Sequence, residues 1–213
     1  MYKETRNLGN MQLVRFDGVA PYGIPPIEPD HIEPCEMVGF NYAKSCKDPG
    51  SKGLHFFVDD YQFERVWNSP ARYLDMLSRF AFVCSPDFSM YTDMPAAMQI
   101  WNHYRKHWLG AYWQMLGIPV VPTIGWSDES SFEWCFDGEP KRGTVAVSAV
   151  GTQGGKATQD RFMRGYQEMM RRLEPKTILF YGRVPEGCEG NIVQIPAYQE
   201  KMRQRLQEAD NGR

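Results

Sequence analysis

The strongest constraint on the fold is a regular alternation, beginning near residue 37, between short apolar runs and segments with helical periodicity. Strands that alternate with helices indicate βα units, and nearly all-apolar strands are typical of parallel strands covered on both faces. The sequence therefore predicts an α/β fold with repeated βα units and a mainly parallel sheet. The predicted strands are 37–43, 54–59, 80–85, 118–124, 144–150, 177–181 and 192–195, and the predicted helices are 61–68, 70–79, 94–116, 129–136, 160–173 and 197–208.

Two arrangements of these units fit the sequence: a small or incomplete βα barrel, and an open, doubly wound sheet. None of the strand-to-helix junctions carries the glycine-rich fingerprint that a dinucleotide-binding sheet places after its first strand. The glycine cluster at residues 151–155 follows a strand but lacks the Lys-Ser/Thr pair of a phosphate-binding loop. The barrel is slightly favoured, although seven strands are one fewer than a closed eight-stranded barrel contains.

Three parts of the chain differ in character. Residues 1–36 contain five prolines together with apolar residues such as Leu13, Phe16 and Ile24, which predicts an irregular arm that wraps around the core. Residues 37–196 are predicted to form the α/β core domain. Residues 197–213 are predicted to form a terminal helix followed by a frayed tail.

Composition argues against several classes of protein. Lys and Arg total 24 against 26 Asp and Glu, for a net charge of −2. The chain therefore lacks the basic excess that is typical of a duplex-DNA-binding protein. The sequence contains no run of about 18 apolar residues, so no membrane-spanning helix is predicted. The N-terminus lacks the apolar segment of a signal peptide. The five cysteines are irregularly spaced without a CxxC pair, which predicts free thiols in a cytoplasmic protein.

Polar side chains gather where the predicted strands end. Ligands of parallel α/β folds bind outside the carboxyl ends of the strands, so these side chains predict one site on a shared rim. The rim residues are Asp59 and Asp60 after the second strand, Ser85, Asp87 and Ser89 at the third, Trp126 and Asp128 after the fourth, and Arg183 after the sixth.

The rim carboxylates have two chemical interpretations. A pair that faces one pocket would act as general acid and base, and the catalytic candidates are Asp87, Asp59, Asp60 and Asp128. The same oxygens would suit magnesium, the one cofactor that the sequence suggests. The structural alternatives are helix capping by Asp128 and, for Asp87, hydrogen bonds that lock its own loop.

The predicted substrate-binding residues complement these carboxylates. Trp126 is able to stack on a nucleobase, and an arginine is able to pair with a phosphate or with a rim carboxylate. The candidates are Trp126, Ser85, Ser89, Arg105 and Arg183.

The long helix predicted at 94–116 carries two patterns. Its apolar stripe is expected to be core and consists of Ala97, Trp101, Tyr104, Trp108, Tyr112 and Met115. His103 and His107 have the i, i+4 spacing of zinc proteases, but Tyr104 stands where such a protease carries its glutamate. Both histidines fall opposite the stripe, and they are expected to face solvent or a partner rather than a metal.

Four motifs give the chain a family resemblance. They are residues 55–68 (HFFVDDYQFERVWN), 85–89 (SPDFS), 100–105 (IWN followed by YR) and 126–128 (WSD). Together they resemble the signature of domain of unknown function 4417, a family of bacteria, phages and mobile elements, over roughly residues 50–182. The resemblance implies a cytoplasmic protein, often from mobile DNA, and it adds weight to Asp59, Asp60, Asp87, Trp126 and Asp128 without assigning them roles.

Two classes of function remain open. The first is an enzyme that acts on a nucleotide, a nucleobase or a nucleic-acid end through the rim carboxylates. The second is a non-catalytic accessory protein that binds a host protein or sequesters a small signalling molecule, which six Trp and twelve Met without a catalytic motif would suit. An enzyme should place at least two carboxylates on one pocket, whereas a sequestering protein should have a more basic or aromatic pocket.

Overall fold

A computed structural model describes residues 8–152 and 154–197 of the chain. Its strands pair in parallel, in the order β1-β2-β3-β4 and β5-β6-β7. This confirms the predicted α/β fold with a parallel sheet. The strands are β1 (Met37–Gly39), β2 (Gly53–His55), β3 (Phe82–Cys84), β4 (Val120–Val121), β5 (Thr144–Ser148), β6 (Thr177–Tyr181) and β7 (Ile192–Ile195).

The two sheets continue into one another just beyond β4. Thr123 and Ala146 form a parallel bridge, and the Ile124 amide donates to the Ala146 carbonyl oxygen at 2.8 Å. The strand order therefore follows the chain order, without the reversal that defines a doubly wound sheet.

The sheet is strongly curved. The ring centroids of His55 on β2 and Tyr181 on β6 are 4.6 Å apart, whereas four strand spacings in a flat sheet span about 19 Å. In the described residues β1 and β7 form no ladder, and residues from both strands line a cavity of about 230 Å³. Closure into a barrel therefore stays a prediction.

Within the described residues, four α-helices and five short 3-10 helices accompany the strands. The α-helices are α1 (Glu64–Asn68), α2 (Leu74–Leu77), α3 (Ala96–Met115) and α4 (Lys156–Leu173), and the 3-10 helices are Phe40–Ser45, Pro49–Ser51, Asp60–Gln62, Pro70–Tyr73 and Glu129–Glu133. The predicted helices 61–68 and 70–79 are each divided between a 3-10 turn and a short α-helix. The predicted helix 129–136 is 3-10 in type, and the predicted helix 197–208 lies outside the described residues apart from its first position.

Side chains alternate between the two faces of the sheet along each strand, so hydrophobic clusters form on both faces. The outer face of β2–β4 packs against α3 through Leu54, Val83 and Val120, and the outer face of β5 and β6 packs against α4. The inner face forms a third cluster, to which β1 and β3–β7 contribute. Burial of such side chains provides roughly 1.5–3 kcal/mol each, so the enclosed face contributes substantially to stability.

The described part of the arm packs on α3. Ile24 and Ile27 are buried, and the Ile27 amide donates to the Gly138 carbonyl oxygen at 2.9 Å. A Cβ on Gly138, whose φ is +75°, would lie 2.8 Å from the Pro25 carbonyl oxygen. Glycine at this position therefore allows the arm to approach α3 closely.

Coverage by the arm overturns the expected orientation of α3. His103 and His107 are buried rather than exposed, whereas Trp101 and Met115 in the predicted core stripe are exposed. The sheet covers one side of the helix and the arm covers another, so the central turns are buried nearly all round. Helical periodicity in α3 alone could not reveal that second cover.

Two expectations about the whole chain can be compared with the structure. All five cysteines are free, as predicted. Within residues 8–152 and 154–197, no helix has the length and apolar character needed to cross a membrane.

Candidate functional site

A cavity of about 790 Å³ opens at the carboxyl ends of the strands. We call it the strand-end cavity. Its volume lies within the range of small-molecule sites, and its place is where parallel α/β folds bind ligands. Its lining includes His55, Phe57 and Asp59 at the end of β2, Val150 and Gly151 after β5, Tyr181 and Arg183 at the end of β6, and Tyr42, Lys47 and Gln62 around them.

Three rings contact one another along one wall of this cavity: Phe57 and Tyr181 are stacked, and the His55 ring is tilted against both. The ring centroids of Phe57 and Tyr181 are 4.8 Å apart with nearly parallel planes, and the His55 ring lies 4.6 Å from Tyr181. The Phe57 amide donates to His55 Nδ1 at 3.2 Å, which fixes the orientation of the imidazole. His55 and Tyr181 are buried and Phe57 is half-buried, so the cavity has a rigid aromatic wall.

Charged side chains surround the aromatic wall. Lys47, Lys52 and Arg183 provide three cations, and Glu36 and Asp59 provide two carboxylates. Glu36 forms an ion pair with Lys52. Positive charge thus slightly exceeds negative charge in a cavity that also contains aromatic rings, which favours an anionic ligand.

The mouth of the cavity is partly apolar and partly glycine backbone. Val150 is 62% exposed and Tyr42 is 43% exposed, so a bound ligand would shield both from water. Gly151 and Gly182 end β5 and β6 with φ values of +82° and +89°, which only glycine adopts without strain. These turns keep the β5 and β6 ends of the cavity free of side-chain bulk.

Of the predicted rim residues, Asp59 and Arg183 line the strand-end cavity. Asp60, next to Asp59, accepts hydrogen bonds from the Ser89 hydroxyl at 2.9 Å and the Ser89 amide at 3.1 Å. This contact joins the loops that follow β2 and β3. Asp60 and Ser89 therefore perform a structural task in this geometry.

Asp87 is half-buried beside Gly125 and does not line the strand-end cavity. Its carboxylate has no hydrogen bond within the described part of the chain, so the structural alternative, a lock within its own loop, is not formed. Burial raises the pKa of Asp87 to about 7, the Lys106 ammonium opposes that rise and the Asp60 charge adds to it. A carboxyl with such a pKa changes protonation near neutral pH.

Ser85 and Trp126 are engaged in packing the fold. The Ser85 hydroxyl accepts from the Thr123 amide at 2.8 Å, which ties β3 to the chain beyond β4. Trp126 packs so closely on α4 that a Cβ on Gly165 would lie 2.1 Å from its indole nitrogen.

Asp128 and Arg105 also contact neighbouring protein groups. Asp128 caps the helix Glu129–Glu133 by accepting from the Ser130 amide and hydroxyl, and these hydrogen bonds lower the pKa of its carboxyl. Arg105 is buried, donates to Glu64 and Asn102 at 2.6 Å, and lies 3.9 Å from the centroid of the Phe88 ring. Of the predicted rim residues, two thus line the cavity, and most of the others contact neighbouring groups of the protein.

A second group of polar residues is buried where α3 meets the sheet. We call it the α3 polar cluster: His103, Lys106, His107 and Glu139. Lys106 donates to Glu139 Oε1 at 2.6 Å and to the Thr123 carbonyl oxygen at 2.8 Å, and His107 Nε2 is 2.9 Å from the same Glu139 oxygen. Burial alone would raise the pKa of Glu139, but Lys106 and His107 outweigh it and hold the pKa below its ordinary value.

Sequence reasoning missed both the aromatic wall and Glu139. His55 follows Leu54 near the start of the predicted run 54–59, and Tyr181 ends the run 177–181. Strict alternation along a strand places both on the face opposite Leu54 and Phe180, so the sequence carries that signal. Glu139 lies in a loop between Asp137 and Pro140 without a motif around it. Nothing in the local sequence indicates that it meets α3.

Comparison with known proteins places this parallel α/β protein in a family. The chain belongs to the family described as domain of unknown function DUF4417, which matches residues 16–199. It is 38% identical over 199 residues to the Gene 1 protein of Mycobacterium phage D29, covering 91% of this chain and 74% of that protein. It is also 38% identical over 187 residues to the Gene 1 protein of Mycobacterium phage L5, covering 86% and 81%. No solved structure gives a significant match.

These matches confirm the family resemblance predicted from the sequence and extend its limits. The family match begins at residue 16, so it includes much of the arm, which the sequence motifs at 55–128 did not reach. It also spans every described residue of the aromatic wall and of the α3 polar cluster.

Proposed function

We propose that this protein binds a nucleotide, or a small phosphorylated molecule with a planar base, in the strand-end cavity. The observation that carries the proposal is the aromatic wall of His55, Phe57 and Tyr181 beside a rim that contains Lys47 and Arg183. Aromatic faces stack on nucleobases with a contribution of about 1–3 kcal/mol per base. A lysine or an arginine pairs with phosphate oxygens through charge-assisted hydrogen bonds.

The charge and ring content of the cavity favour binding over catalysis. Of the four predicted catalytic carboxylates, Asp59 alone lines the cavity, while Asp60 and Asp128 are engaged by Ser89 and Ser130. Acid–base catalysis by two carboxylates requires both on one pocket. An accessory role in a phage or mobile element, by capture of a nucleotide signal, fits this cavity better.

Magnesium would enter this site with its ligand. Nucleoside polyphosphates carry Mg²⁺ on their phosphates. Asp59 is an exposed carboxylate at the cavity that would contact the ion, whereas Glu36 is paired with Lys52. We place the protein in the cytoplasm, where nucleotides are abundant, and its five free thiols support that location.

A binding titration with matched variants tests the proposal. Phe57→Leu keeps an apolar side chain in the wall but removes the stacking face, and Arg183→Gln removes a rim cation. Phe132→Leu is the control, because Phe132 is half-buried and packs against the β5–β7 cluster away from the cavity. The ligands are nucleoside mono-, di- and triphosphates and cyclic dinucleotides, each with and without Mg²⁺, measured by calorimetry.

We expect at least one of these ligands to bind with one site per chain. Its Kd should weaken about tenfold or more in Phe57→Leu, and binding to wild type should weaken with added salt because phosphate contacts are screened. The control should bind as wild type does. Absence of binding by every ligand, or equal binding by wild type and Phe57→Leu, would contradict the proposal and would turn attention to a host protein as the partner.

The alternative predicted from the sequence is an enzyme that turns over the bound ligand. Product analysis by chromatography after incubation with each ligand that binds distinguishes the two functions: release of phosphate or base would show an enzyme, and recovery of unchanged ligand would show a binding protein.

A further inference from the structure

We propose that His103, His107 and Glu139 form a binding site for one divalent transition-metal ion, for which Zn²⁺ is the best match. Each residue contributes a potential ligand atom, and the three atoms lie within 4.8 Å of one another. Two imidazole nitrogens and a carboxylate oxygen are ligands that zinc takes in proteins. The site is separate from the strand-end cavity, none of whose lining residues belongs to it.

Hydrogen bonds on the outer side of each imidazole support this assignment. His103 Nε2 is 3.0 Å from the Asp137 carbonyl oxygen, and His107 Nδ1 is 2.9 Å from the Pro25 carbonyl oxygen. A carbonyl oxygen only accepts, so these two nitrogens carry the hydrogens. In a neutral ring the lone pair of His103 is therefore on Nδ1, and a backbone carbonyl fixes many metal-binding histidines in this way. His107 Nε2 shares a hydrogen with Glu139 Oε1 at 2.9 Å, and a bound ion would displace that hydrogen, as metal binding to histidine commonly does.

Two buried atoms of the cluster have no partner. His103 Nδ1 and Glu139 Oε2 accept no hydrogen bond within the described part of the chain, although both side chains are almost fully buried. Buried polar atoms in native proteins are rarely left without a partner, because the desolvation of each one is not repaid. A metal ion bound between them would satisfy both.

Lys106 does not block this site. Its ammonium is already held by Glu139 Oε1 and the Thr123 carbonyl oxygen, which leaves Glu139 Oε2 available without breaking either contact. The ion would add positive charge near Lys106, and Asp87, which already interacts electrostatically with Lys106, would offset part of it.

The position of the cluster indicates a structural ion. His103 and His107 come from α3, Glu139 comes from the loop before β5, and Pro25 holds His107 from the arm. All three ligand side chains are closed to solvent, whereas a catalytic ion keeps a position open to substrate. The ion would thus link the arm, the long helix and the β4–β5 junction.

Metal titration of the untagged full-length protein tests the proposal. Protein treated with a chelator and then dialysed should bind one Zn²⁺ per chain by elemental mass spectrometry. Its Tm should rise by roughly 5–10 °C at a free zinc concentration about 100 times the Kd. Co²⁺ in place of Zn²⁺ should give the visible absorption of a four-coordinate site, with one trapped water completing the three protein ligands, and added Zn²⁺ should remove that absorption.

Variants separate this site from adventitious binding. His103→Gln removes one ligand and should lose the bound ion and the Tm rise, whereas His31→Gln, at an exposed histidine, should retain both. If His103→Gln fails to fold, the Co²⁺ spectrum of the wild-type protein decides. The absence of a four-coordinate spectrum, or retention of stoichiometric zinc by folded His103→Gln, would overturn the proposal. Loss of the ion in His103→Gln would not test nucleotide binding at the strand-end cavity, because the two sites share no residue.

Discussion

The strand-end cavity and the α3 polar cluster contain similar kinds of side chain in opposite settings. In the cavity, Asp59 is exposed and lies beside an aromatic wall. In the cluster, Glu139 is buried and held by Lys106 and His107. Folding requires the contacts of the cluster, since a buried charge is tolerated only when it is paired. Asp59 is solvated at the surface of the cavity, so the fold does not depend on a protein partner for its charge.

The largest expected effect that separates the two regions is that of Glu139→Ala. It leaves the Lys106 ammonium buried without its carboxylate, and breaking a buried pair costs about 3–5 kcal/mol. For a chain of this size we expect Tm to fall by roughly 6–20 °C. Scanning calorimetry measures the shift.

Asp59→Ala is the matched change in the cavity, and it should alter stability by no more than about 0.5 kcal/mol because the side chain is exposed. Equal losses of stability in the two variants would contradict the division between a framework cluster and a ligand cavity.

A second, smaller effect is expected from Asp87→Asn, and it should be stabilising. The folded-state pKa of Asp87 is raised to about 7 from an ordinary value of 3.8. Ionisation therefore disfavours the folded state, by an amount that grows above pH 3.8 and levels off near pH 7. Because the side chain is half-buried and partly screened, we expect Asn to raise stability by about 1–2 kcal/mol at pH 8.

The pH dependence is the control for this prediction. Near pH 3.5, where the carboxyl is largely protonated in both states, urea unfolding of wild type and Asp87→Asn should give nearly equal free energies. A variant that is less stable than wild type at pH 8 would show instead that the charged carboxylate has a structural role.

The effect of Ser89→Ala should be smaller still. It removes the hydroxyl that donates to Asp60 but leaves the hydrogen bond from the Ser89 amide. A lost hydrogen bond to a charged group of this kind costs about 1 kcal/mol when a second donor remains, so Tm should fall by about 2–4 °C. Ser45→Ala, in which the lost hydroxyl is exposed and bonds locally to Tyr42, should change Tm by less; a larger fall there would undermine the joining role given to Asp60 and Ser89.

The last two strands of the fold could be predicted to the residue, and the first ones could not. Strands β6 and β7 have the predicted limits, because each is a short apolar run between turn residues. The run at 37–43 ends as a strand at Gly39 and continues as a 3-10 helix in which Phe40 and Ala43 are buried. An apolar run reports burial in both cases, and it does not distinguish a strand from a helical turn packed on the same core.

The candidate site was predictable in its place and only partly in its residues. Position at a strand end located Asp59 and Arg183 correctly on the cavity. The same criterion selected Asp60 and Asp128, which Ser89 and Ser130 engage, because capping and ligand binding use the same residue types. His103 and Glu139 are 36 positions apart and meet only through the fold, so no local pattern could join them.

The most direct test of nucleotide binding in the strand-end cavity is a native mass spectrum of untagged protein purified gently from cells. The account predicts a retained adduct of one small molecule per chain, which releases a nucleobase-containing species on denaturation. The double variant Phe57→Leu/Arg183→Gln should be folded and should lack the adduct. A wild-type spectrum without any small-molecule adduct, or an adduct that persists undiminished in the double variant, would contradict it.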